Sequence, residues 1–138
     1  MSFEDVSLSG LDALIEETGR GVGKVTDQAM KEQLLQFKAN LGDMRVALVE
    51  LRHLEDQFKR GNILSEVYLD RHKKLVRDFY AARDNIADVV VPKIADKAPT
   101  DKDKSTISKV KDSLKNNKEF ILSASQFILN VIQMFGKA

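Results

Sequence analysis

The sequence predicts an all-α protein, an antiparallel up-and-down bundle of three long helices and a shorter N-terminal helix. Three observations lead there. Apolar residues recur at steps of three and four along most of the chain, which is the period of a helix face. Capping and turn residues punctuate the periodic stretches, and brief connections between long helices favour up-and-down order. Glycine is sparse, there are only 2 prolines, and the one β-branched triplet, Val89-Val90-Val91, sits in helical phase. With 138 residues, 43% hydrophobic and 31% charged, the expectation is a single helical-bundle domain over 1–138, with helices at about 8–18, 27–60, 65–91 and 101–135.

The N-terminal helix rests on Leu11, Leu14 and Ile15. Beyond Thr18 the phase continues through Val22 and Val25, but Gly19, Gly21 and Gly23 interrupt it at about 1 kcal/mol each relative to alanine. A frayed or looped glycine segment is expected there. The second helix carries the clearest pattern: Met30, Leu34, Phe37, Leu41, Met44, Leu48, Leu51 and Phe58 follow a heptad seam in which Glu55 takes the one skipped position. Thr26 or Asp27 can cap its start, and Gly61-Asn62 tolerates the left-handed conformation that ends a helix.

For the third helix, Ser65 is the expected N-cap, and Tyr68, His72, Leu75, Phe79, Ala82, Ile86 and Val89 form its face. Pro92 should kink or end it near Val91, and Asp96 to Thr100 reads as a linker. Thr100 with Asp103 has capping-box spacing for the last helix. That helix holds Ile107, Val110, Leu114, Ile121, Ala124, Ile128, Ile132 and Phe135 on one face. Its polar stripe runs from Ser108 to Lys137 without a break, so 101–135 reads as one continuous helix.

Composition restricts the function classes. A net charge of +1 provides no bulk field towards nucleic acid, and aromatic residues are not interleaved with the basic ones. No cysteine is present, so disulfides, thiolate metal sites and cysteine nucleophiles are excluded. The N-terminal residues lack a secretory pattern, and a cytoplasmic location is expected.

The motifs that invite chemistry fall short of it. Gly23-Lys24 ends a glycine-rich stretch, yet Thr18 stands where a phosphate loop needs glycine and Val25 where it needs a hydroxyl. Glu50-x-x-His53 has the spacing of a di-iron half-site, but its second copy is missing because Leu69 precedes His72. His53 is expected at the surface and His72 as a hydrogen-bonded core residue. No catalytic triad can be assigned. The reading is therefore non-enzymatic, with no cofactor, metal or small-molecule ligand expected.

Two features point to partners instead. Lys31, Lys38, Arg45, Arg52 and Lys59 recur every seventh residue along one flank of the heptad seam, a candidate interaction strip for an acidic partner. Its intramolecular alternative is that Asp70, Asp78, Asp84 and Asp88 of the next helix face it. The uncharged run from Phe120 to Phe135 presents Phe120, Phe127, Val131, Met134 and Phe135 as a candidate apolar docking or membrane face. The leading expectation is a protein-interaction or self-assembly module, and the alternative is a membrane-active domain that inserts this helix.

Residues Gly61-Asn62-Ile63-Leu64-Ser65-Glu66-Val67-Tyr68, followed by Lys73, Lys74 and Leu75, resemble the short helical hairpin called SHOCT. Leu64 is an insertion relative to that pattern, and Val67 replaces an acid. The resemblance covers 61–75 and implies an association with oligomerisation.

Overall fold

In the computed structural model, which describes residues 1–136, the chain is all helical apart from its connections and one isolated bridge. Helix α1 spans Leu8–Lys24, α2 Gln28–Lys59 and α3 Ser65–Asn85. A π-helical turn, Ile86–Val90, leads into the short α4, Val91–Ala95, and the chain closes with α5, Asp101–Asn116, and α6, Phe120–Phe135. Lys137 lies outside the described residues.

The second helix has the expected limits to within a residue. Asp27 accepts from the Met30 amide at 2.9 Å, satisfying a first-turn donor. At the other end Gly61 takes φ +73, and the Gly61 and Asn62 amides bond back to Phe58 and Gln57, a Schellman closure.

Four boundaries differ from expectation. The glycine segment is helical, and α1 continues to Lys24. Packing explains this: Gly21 is buried, and a Cβ built on it would stand 3.2 Å from Ile132 Cδ1, so the absent side chain lets α6 lie close against α1. The expected N-cap Ser65 is already the first helical residue, and Leu64 precedes it with no side-chain capping bond.

The expected last helix is two. Asn117 leaves helical geometry at φ −80, ψ 134, and its Oδ1 accepts from the Glu119 amide at 2.9 Å, an Asx turn separating α5 from α6. Pro92, by contrast, does not end its helix. It sits at the second residue of α4, inside a rod that continues to Ala95. The π turn falls immediately before it, with the Val91 amide reaching Ile86 O. This wider turn shifts the backbone at the place where a proline ring would otherwise press on the carbonyl of Asp88.

Side-chain pairs give the topology. Asn40 with Asn85, Glu55 with His72 and Phe58 with Tyr68 run α3 antiparallel to α2. Arg45 with Asp12 and Arg52 with Val6 O do the same for α1 and α2. Asp88 with Lys111 and Lys115 sets α5 against the π turn. Gly10 beside Ile121 and Gly21 beside Ile128 and Ile132 show α1 and α6 running parallel. With α3, the π turn and α4 counted as one rod, five rods alternate up and down, so the first and last must be parallel when the ring closes.

The core lies inside that ring. Leu11, Leu14, Met30, Leu34, Phe37 and Leu41 meet Phe79, Ile86, Ile107, Leu114, Phe127 and Ile128 there. Phe37 and Phe127 touch with ring centroids 5.4 Å apart. After α6, Gly136 bridges to Val25, where a Cβ would stand 2.3 Å from Ile132 O, so only glycine fits.

Candidate interaction surface

The basic strip lies on the α1 side of α2. Arg45 Nε donates to Asp12 Oδ1, and Arg52 Nη2 donates to Val6 O at 3.3 Å. Lys38 Nζ stands over Gly19, and Lys59 is exposed beyond the start of α1. Of the expected acidic neighbours on the following helix, Asp70 and Asp78 are exposed without an ion pair among the described residues, and Asp84 and Asp88 are engaged elsewhere. Asp84 accepts from Arg83 at 2.7 Å, while Asp88 accepts from Lys115 at 2.8 Å and stands 3.5 Å from Lys111. The hydrogen bond from Lys115, with the charge of Lys111 beside it, holds the Asp88 carboxyl below the usual aspartate value. The strip is thus partly used within the chain, by α1 and not by α3. A heptad pattern alone could not distinguish these neighbours, because both flank α2.

The candidate apolar face of α6 is largely occupied. Phe120, Phe127 and Val131 are buried in the chain's own core, and Met134 and Phe135 are half-buried against it. These residues therefore do not form an open docking face. Leu122 and Leu129 are the exposed apolar residues of this helix, while Ser123, placed by its phase on the polar stripe, is buried. Ser125 donates to the Glu17 carboxylate at 3.1 Å, tying α6 to α1. Among the described residues no helix is long and apolar enough to cross a membrane.

Most of the exposed large apolar residues lie on α2 and α3 and at the turn between them. Leu35, Ala39, Gly42, Val46, Val49 and His53 step by four and three along the outward side of α2, a second seam distinct from the buried one. Leu35 is 50% exposed, Val46 55% and Val49 39%, and a Cβ built on Gly42 would meet none of the described residues within 4 Å. Beside this seam, α2 and α3 border two adjoining open hollows of about 690 and 510 Å³ that share Glu50 and Leu75. Val49, Leu54, Ile63 and Val67 line the outer hollow, and Val46, Ala47 and Ala82 line the inner one.

No residue of α3 before Phe79 is buried, so the far half of the α2–α3 hairpin projects from the ring. Its tip exposes Leu64, at 76%, and Leu69. On its other side Phe58 stacks on Tyr68 at 4.2 Å, and His72 sits between Tyr68 and Phe3. His72 is half-buried and 3.7 Å from Glu55, so it is an edge residue of the hairpin and not a core histidine.

Glu50 and His53 both line the outer hollow as a polar rim. Among the described residues no three side chains of metal-ligating type come together. Sequence reading missed the second seam because two of its positions are Ala39 and Gly42, whose small side chains do not register as apolar periodicity. The usable signal was the repeated spacing of Leu35, Val46 and Val49 in one phase.

No protein-family model matches the chain, and neither a curated protein nor a solved structure matches it.

Proposed function

We propose that this chain is a non-enzymatic helical-bundle module that self-associates through the outward face of the α2–α3 hairpin, acting in the cytoplasm. The observation that carries the reading is the second heptad seam, with Val46 more than half exposed although the chain has a complete core elsewhere. Isolated exposed apolar residues are ordinary, but a phased row beside an apolar groove is the composition of a helix-packing surface. The absence of cysteine suits a reducing compartment.

Sedimentation equilibrium over a hundredfold concentration range tests the proposal. A mass that rises with concentration, and that Val46→Glu with Val49→Glu returns to that of one chain without loss of helicity, supports it. A one-chain mass throughout the range overturns it.

A further inference from the structure

We infer that two copies pair in parallel along α2, with Lys38 of each facing Asp43 of the other and Arg45 facing Glu50. The inference rests on the self-association proposed above and specifies its orientation and register. The outward seam has two flanks, and they differ in charge. The flank towards α1 carries Lys31, Lys38, Arg45 and Arg52, while the flank towards α3 carries Gln36, Asp43, Glu50 and Gln57.

In a parallel two-stranded coiled coil, each residue on one flank lies against the residue five positions later on the opposite flank of the partner. Here that rule brings Lys38 to Asp43 and Arg45 to Glu50, with Lys31 and Arg52 meeting Gln36 and Gln57. No like charges meet. In the antiparallel arrangement each flank faces its own copy, so bases would oppose bases and Asp43 and Glu50 would oppose acids.

The state of these side chains in the single chain fits this pairing. Asp43 and Glu50 are exposed, and neither is in an ion pair among the described residues. Arg45, although bonded to Asp12, keeps 43% of its side chain exposed and can serve a second carboxylate. Ala39 and Gly42 lie at the middle of the seam, where small side chains let two helix backbones approach closely. Leu35, Val46 and Val49 supply the apolar layers on either side. The basic heptad strip thereby has a role at both edges: one face grips α1, and the other chooses the partner's orientation.

Because the chain has no cysteine, single-cysteine variants report the register directly. Leu35→Cys and His53→Cys lie roughly 27 Å apart along the helix at 1.5 Å per residue. Under mild oxidation, parallel pairing links each variant to itself and does not link one to the other. Linkage of Leu35→Cys to His53→Cys alone would overturn the parallel orientation. A dimer that neither variant cross-links would place the contact on another face, overturning this inference but not self-association. A protein that is monomeric at every concentration overturns both.

A charge exchange provides the second readout. Lys38→Glu and Asp43→Lys should each weaken the homodimer, on the order of tenfold, while an equimolar mixture of the two recovers dimer. Equal weakening in the mixture would count against the Lys38–Asp43 contact.

Discussion

Asn40 Nδ2 donates a 2.7 Å hydrogen bond to Asn85 Oδ1, joining two amides across the α2–α3 contact at the residue where α3 gives way to the π turn. Asn40 is buried, so its amide must find a partner in the protein, and that partner exists only in one alignment of the two helices. The pair therefore sets register as well as contributing stability. Asn40→Ala or Asn85→Ala should each cost about 1–2 kcal/mol. The double variant should cost less than the sum by at least about 0.5 kcal/mol in urea unfolding. Strict additivity would show that the two amides do not act together.

Phe127 is expected to be the most sensitive position of α6. It is fully buried and touches Phe37, so Phe127→Ala should lose about 3–5 kcal/mol, enough to unfold a marginal bundle. Leu129, two residues later and half exposed, should accept glutamine within about 0.5 kcal/mol. Thermal unfolding of the two variants checks this, and comparable losses would contradict the side of α6 that faces the core.

Two glycine substitutions should have opposite signs. Gly42 lies in mid-helix with none of the described residues within 4 Å of an added methyl, and under monomeric conditions Gly42→Ala should add about 0.5–1 kcal/mol of stability. At Gly10 the same methyl would stand 2.7 Å from Ser7 Oγ and 2.8 Å from Ile121 Cγ1. Gly10→Ala should cost about 1–3 kcal/mol by forcing α1 from α6 and disturbing the Ser7 cap. Denaturant midpoints report both.

Asp88 gives a pH dependence with a defined sign. Its native pKa is lowered by the Lys115 hydrogen bond, so the ionised form contributes stability that is complete above the ordinary aspartate value of about 3.9. That contribution is lost as the pH falls through the lowered native value. The side chain is 40% exposed, which limits the cost of Asp88→Asn at neutral pH to less than about 1 kcal/mol, and less again in high salt. Unfolding of both proteins followed from neutral pH to below pH 4 should show the difference closing in acid. A gap that widens there would refute the assignment.

The long seam of α2 was legible from Met30 to Leu51 because a helix buried along one side must repeat its apolar residues every three or four positions. Caps were legible where a side chain alone satisfies an amide, as at Asp27 and Thr100. The break at Asn117 was harder to see, since Ser108 and Ser123 share a helical phase across it. The adjacent pair Asn116-Asn117 was the available mark of a turn. At the candidate surface, the basic strip could be named residue by residue, but not the helix it grips.

By itself, then, the sequence determined the helical class, the position of α2, most core residues and the basic heptad, because periodicity and capping are local properties of the chain. Only the tertiary structure decided that Gly21 lies within a helix, that α1 and α6 run parallel, that Phe120, Phe127 and Val131 are enclosed, and that the outward seam of α2 is open. Each of these depends on which surfaces meet at a distance. A glycine that costs helix propensity is retained where α6 must approach closely, and an apolar row remains exposed where the described residues cover it only in part.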